Sequence, residues 1–169
     1  MSELGRINSV ASRHYGVMDD LSATVRTVET KVAEGNELIR RGAAHDAVRL
    51  LEAAVALGKG PLGVRHPIIL EAEGQLGLAY LYASEPTLAI QHGAHAHSDS
   101  VEALGLQHDL TVRLASMYFM SLMATAPFEK SFDFYFRHLR WLQDQDLTSL
   151  SEDQRAVRAQ LEAIMRPSG

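Results

Sequence analysis

The sequence predicts an all-α fold, an array of about three antiparallel helix pairs closed by a C-terminal helix. Three observations carry this. Apolar residues recur at helical spacing nearly throughout, and no run of alternating β-branched residues appears. The five prolines (Pro61, Pro67, Pro86, Pro127, Pro167) fall between the periodic stretches. Similar residues also return 42 positions apart, as Gly35 with Gly77, Ala47 with Ala89 and Ala54 with Ala96.

A chain of 169 residues is long enough for one domain with a real core and short for two. With 46% hydrophobic and 22% charged residues, its composition is that of an ordinary globular protein. The net charge of −5 and the lack of a polybasic run argue against nucleic-acid binding. No cysteine is present, which excludes disulfides, thiolate metal sites and a cysteine nucleophile. Residues 1–15 lack a signal-peptide profile, and the apolar runs are too short to span a membrane. The expectation is a cytoplasmic protein with no membrane contact.

In chain order, residues 1–16 carry little periodicity and are expected to form a flexible lead-in, followed by a single helical domain over 17–169. A first helix is expected from Asp19 or Asp20, with its stripe at Leu21, Val25, Val28, Val32 and Ile39 and its end near Gly42. A second runs from about His45 to Leu57. Gly58–Gly63, with three glycines and a proline, reads as a break; it lacks the glycine spacing and the Ser/Thr of a phosphate loop. Pro67 suits the first turn of the third helix, which is apolar nearly all round and belongs in an interior. Gly74 and Gly77 within it imply close approach of a neighbouring helix.

The fourth helix, Thr87–Leu104, is expected to bury Ile90, Gly93 or Ala94, His97, Val101 and Leu104. A helix over Asp109–Ala124 and an aromatic one from Phe128 to about Gln143 follow, with Phe132, Phe136 and Leu139 in the core. Ser151-Glu152-Asp153-Gln154 is a capping-box pattern opening the last helix, which places Val157, Leu161 and Ile164 on one face.

The 42-residue offset recurs in the connectors, where Leu62-Gly63-Val64-Arg65-His66-Pro67 aligns with Leu104-Gly105-Leu106-Gln107-His108-Asp109. The second unit has Leu76, Gly77, Tyr80, Ala89 and Ala96, and the first has Gly35, Leu38, Gly42, Ala47, Leu51 and Ala54. With these residues the chain resembles the tetratricopeptide repeat family, in the longer variant of kinesin light chain-like arrays. The units are about residues 25–63, 67–105 and 109–143, with a capping helix at 151–165. Glu34, Gly93 and Phe119 depart from the family pattern.

The resemblance implies a non-enzymatic interaction module, an adaptor or assembly factor whose first helices line a groove for a peptide or helix of a protein partner. Carried over by position, that groove includes Asn36, Ile39 and Arg40 with Val32; Gln75, Leu78, Leu81 and Tyr82 with Gly74; and Arg113, Met117 and Met120 with Ser116 and Met123. The alternatives are a peptide-sensing regulatory module, a secretion-type chaperone, and a groove filled by the chain's own last helix. Asn36 and Arg113 match two positions of a carboxylate-clamping subfamily, but Val32, Gln75 and Met117 do not match the others, so the pairing charge is absent.

No cofactor is expected. His92, His95 and Asp99 share a helix face and are the candidate metal ligands, set against the reading of a solvated face; His97 points the other way, toward the core or the groove edge. Phe134 and Trp141 lie off the core stripe of their helix and must meet the final helix, which is favoured, or another chain. They are a candidate second interface, through which self-association is possible. No nucleophile–base or paired-carboxylate motif appears.

Overall fold

The computed structural model describes residues 3–165, with side chains from Met18 onward. It is all-helical, and no strand occurs among the described residues. The helices are α1 (Glu3–Arg40), α2 (Ala44–Leu62), α3 (Pro67–Tyr82), α4 (Pro86–Leu104), α5 (Asp109–Thr125), α6 (Phe128–His138), α7 (Trp141–Asp144) and α8 (Glu152–Met165), with a 3-10 turn at Leu147–Ser149. Adjacent helices pack in pairs, α1 with α2, α3 with α4 and α5 with α6. Across the pairs, α1, α3, α5 and α8 lie side by side in that order.

Several boundaries differ from expectation. Helix α1 begins at Glu3, so Asp19 and Asp20 lie inside it. Of the lead-in at 1–16, residues 1 and 2 and all the side chains lie outside the described residues. Gly58–Gly63 is no break, because α2 runs through Pro61 to Leu62. Gly58 is buried, and a Cβ there would stand 2.4 Å from Ile69 Cδ1, so the glycine serves packing. The break comes at Gly63, whose φ of +87° an L side chain rarely adopts. The expected aromatic helix is two, α6 and α7, parted at Leu139 and Arg140.

Local geometry recurs at the sequence offset. His66 caps α3 by accepting a hydrogen bond from Ile68 N at Nδ1, and His108 caps α5 in the same way from Leu110 N. Gly105, with φ of +89°, ends α4 as Gly63 ends α2. At the end of α1, Ala43 N donates to Leu38 O and Gly42 N to Ile39 O. At the end of α3, Glu85 N donates to Tyr80 O and Ser84 N to Leu81 O. This is the crossed bonding that closes a helix through a left-handed residue. Gly42 fills that place at φ of 78°, and Ser84 fills its counterpart at φ of 63°.

A non-glycine residue in that conformation costs about 1 kcal/mol. Ser84→Gly is therefore expected to raise the melting temperature by about 2–4 °C, and Gly42→Ser to lower it by a similar amount. Thermal unfolding followed by circular dichroism checks both, and no rise for Ser84→Gly would contradict the assignment.

The core has two main bodies. One gathers Val28, Val32, Leu51, Val55, Ile69, Leu76 and Tyr80 from α1, α2 and α3. The other gathers Val112, Phe119, Tyr135, Leu139, Leu142, Val157 and Leu161 from α5 to α8. On α4 the buried face is Ala89, Gly93, Ala96, His97 and Ser100, and the expected Ile90, Val101 and Leu104 are only half-buried. Small residues win that face because the α3 backbone comes so close: a Cβ on Gly77 would meet Gly93 N at 3.1 Å and Ala89 O at 3.3 Å. On α6, Tyr135 is buried, and Phe136, expected in the core, is 61% exposed.

Candidate functional site

A cleft of about 330 Å³ opens between α3, α5 and α8. Leu78 and Tyr82 form its α3 wall, Arg113, Ser116, Met117 and Met120 its α5 wall, and Asp153, Val157 and Gln160 part of its α8 wall. These α3 and α5 residues are groove positions implied by the resemblance, brought together here. Helical spacing places them: 78 and 82 lie one turn apart, as do 113, 116–117 and 120. The third wall depends on α8.

The docking of α8 on α5 combines the apolar packing of Val157 and Leu161 with a row of polar contacts. Ser151 opens α8 with the expected capping box, accepting from Gln154 N at 3.1 Å while its own N–H donates to Gln154 Oε1 at 3.2 Å. Its hydroxyl donates to Asp109 Oδ1 at 2.7 Å, and Gln154 Nε2 donates to Gln107 O at 2.8 Å. Further along, Ser116 Oγ donates to Gln160 Oε1 at 3.2 Å. Arg113 bridges both sides, reaching Asp153 at 2.5 Å and Glu71 of α3 at 3.4 Å. Its guanidinium is already paired within the chain, so the cleft presents no uncompensated cation there.

Other groove positions lie elsewhere. Gln75 is buried, only 7% exposed, so its side chain does not line an open groove. Leu81 and Ile39 are half-buried against the first core body. Asn36 is half-buried, with Oδ1 buried and unpartnered among the described residues. Arg40 is exposed and pairs with Glu37 on its own helix.

The histidine candidates do not converge. His92 Nδ1 meets Glu73 Oε2 at 2.5 Å, and its ring stacks on Tyr80 at 5.3 Å. Burial opposes ionisation of Glu73, but the His92 hydrogen bond, helped by Lys59 and His95, outweighs it and leaves the carboxyl below its usual range. Tyr80 donates to Glu52 Oε1 at 2.6 Å, and burial with that carboxylate pushes its pKa up to about 12. Asp99 pairs with Arg65 at 3.4 Å, and His95 sits beside it in a separate cavity of about 270 Å³ with Lys59 and Glu73. Among the described residues no group of three or more His, Asp or Glu is arranged to hold a metal ion.

Phe134 and Trp141 are both engaged within the chain. Phe134 packs on Tyr118 of α5 at 4.8 Å and on His97 of α4 at 5.1 Å, and it lies against the second core body. Trp141 is half-buried against the body that includes Val157 and Leu161, and its indole donates to His138 O at 3.1 Å. The exposed aromatics of α6 are Phe128 and Phe136, at 63% and 61%. Sequence reading missed the cluster of His97, Tyr118, Phe134 and His138. Its signal lay in the 42-residue frame, where Ala96 and Gly93 are answered by His138 and Tyr135. Bulk there forces α6 to pack through rings rather than backbone.

No protein-family model matches the chain, and no curated protein matches it. No helix among the described residues is long and apolar enough to cross a membrane.

Proposed function

We propose that the chain is a non-enzymatic interaction module, a helix-pair array of the tetratricopeptide kind that holds a peptide or short helix of a protein partner in the cleft between α3, α5 and α8. The observation that carries this reading is the cleft itself: an apolar floor of Leu78, Met117, Met120 and Val157 with a polar rim of Asp153 and Gln160. Such a surface suits alternating side chains of a peptide, and methionines adapt to a partner's shape. The side-by-side order of α1, α3, α5 and α8 supports an array, as do the matching caps at His66 and His108. The net charge of −5 favours a protein partner over nucleic acid. An adaptor or assembly role in the cytoplasm follows from this reading.

Leu78→Glu is expected to weaken binding at least ten-fold, because it places a carboxylate on the cleft floor near Asp153. Affinity capture from the source cell with mass spectrometry, wild type against Leu78→Glu, checks this once circular dichroism shows the variant folded. Partners held equally by both proteins would overturn the cleft as the binding surface.

A further inference from the structure

The seam between α4 and α6 is closed by two imidazoles. The His97 ring meets the His138 ring edge-on at 4.7 Å and the Phe134 ring at 5.1 Å, with Tyr118 of α5 at 6.4 Å. His97 is only 6% exposed. His97 Nε2 and His138 Nδ1 are both buried without a hydrogen-bond partner among the described residues. An uncharged imidazole tolerates such a setting; a cationic one without a carboxylate beside it does not.

The charged and titratable groups around the pair do not supply that carboxylate. From α4, Glu102 borders the cavity beside the pair but is taken by Arg65. From α5 the neighbour is the Tyr118 phenol, whose own ionisation burial suppresses. On α6, Asp133 and Arg137 flank His138 and pair with each other at 2.9 Å. From α7, the Trp141 indole bonds the His138 carbonyl rather than its ring.

We propose that His97 and His138 form an acid-released latch, which holds α6 against α4 while both rings are neutral and lets α6 go when they take up protons. A cavity of about 500 Å³ borders His97, Tyr118, Phe134 and His138, so solvent reaches the edge of the pair and protons have a short path. Release uncovers the Phe134 and Tyr118 faces, which pack on each other and on His97 when the latch is closed. Helix α6 is short, at 11 residues, and meets α5 through rings, Tyr135 on Phe119, rather than through the close backbone approach of α4 to α3.

The direction follows from the ionisation of the two groups. Burial, with His138 nearby, lowers the pKa of His97 from 6.5 to about 4. Burial and Arg137 lower that of His138, against the pull of Asp133. Groups depressed in the closed form stabilise it fully above the open-state pKa of 6.5. That stabilisation falls as pH drops below 6.5 and levels off below about 4. From His97 alone, the closed-to-open ratio falls on the order of 20-fold between pH 7 and pH 5.

Trp141, the only tryptophan in the chain, reports on the latch through its bond to His138. Between about pH 7 and pH 4.5, tryptophan emission is expected to shift, and amide exchange in α6 and α7, corrected for intrinsic rates, to rise about ten-fold or more. Exchange over residues 18–40 of α1, which contain no histidine, should stay constant. In the His97→Phe/His138→Phe double variant, which keeps the ring volume, the transition should vanish. A wild-type protein with flat emission and exchange over this range, or a transition that survives in the double variant, overturns the latch. If the double variant does not fold, an NMR titration of His97 in the wild type decides. An imidazole pKa below about 5.5 supports the latch, and one at or above that value overturns it.

Discussion

Phe119→Ala is expected to lower stability by about 3–5 kcal/mol, the largest loss foreseen for any single truncation in this chain. Among the described residues Phe119 is the bulkiest fully buried side chain, at 0% exposure, and it lies in the core body built from α5, α6, α7 and α8. Its ring packs on Tyr135 of α6 at 5.8 Å. Truncation removes the transfer energy of the ring and leaves a cavity that four short elements must either collapse into or leave empty. Because α6 and α8 both pack on α5, the damage should concentrate at the C-terminal end. Urea unfolding followed by circular dichroism and by Trp141 fluorescence measures it. A loss below about 1 kcal/mol would show that Phe119 does not organise this end of the molecule.

Gly77→Val is expected to cost about 2–3 kcal/mol for the opposite reason. At Gly77 the atoms met by a new Cβ are backbone, Gly93 N at 3.1 Å and Ala89 O at 3.3 Å, and backbone cannot swing aside as a side chain can. Two methyl groups beyond that Cβ would have to push α3 and α4 apart along their whole contact. Gly77→Ala is the informative companion, since a gain in helix propensity of about 1 kcal/mol opposes a milder crowding. Valine should therefore be much worse than alanine. If both changed the urea midpoint equally, the close approach of α3 and α4 would be refuted. Gly74→Ala is a contrasting case: a Cβ there meets the Cδ2 end of Leu114, which can rotate away.

The two residues occupy the same place in the 42-residue frame and solve it differently. Where α3 and α4 cross, Gly77 faces Gly93 and the backbones touch. Where α5 and α6 cross, Phe119 faces Tyr135 and rings hold the helices apart. In the first pair, the space beside Gly35 is filled by Leu51. One geometric crossing thus takes three packings, and the ring packing of α6 on α5 leaves the ring-lined seam in which His97 and His138 meet.

Much of this was legible in the residues themselves. The helical class, the pairing of neighbours, the turns at Gly42, Gly63 and Gly105 and the capping box at Ser151 follow from local rules of period and backbone freedom. These rules act within a few residues, so the chain carries them on its face. The histidine caps at His66 and His108 were visible only as a recurring letter, because imidazole is not a usual capping group. The continuation of α2 through Gly58 and Pro61 ran against local preference, and packing of Gly58 under Ile69 outweighed it.

What tertiary structure alone decided is which face of each helix meets which neighbour. The cleft needed α8 as a third wall, and only its docking shows that Arg113 is spent on Asp153 and Glu71. Gln75, a groove position by the resemblance, is buried, and Phe136, placed in the core by its spacing, is exposed. A rotation of a few tens of degrees about a helix axis decides between core and solvent. The sequence by itself determined the helical class, the order of the main helices and the 42-residue recurrence, because period and capping act over a few residues. It did not determine the start of α1, the end of α2 or the parting of α6 from α7. Tertiary packing determined the cleft and the imidazole seam, since each joins side chains from helices far apart in the chain whose relative rotation no local pattern encodes.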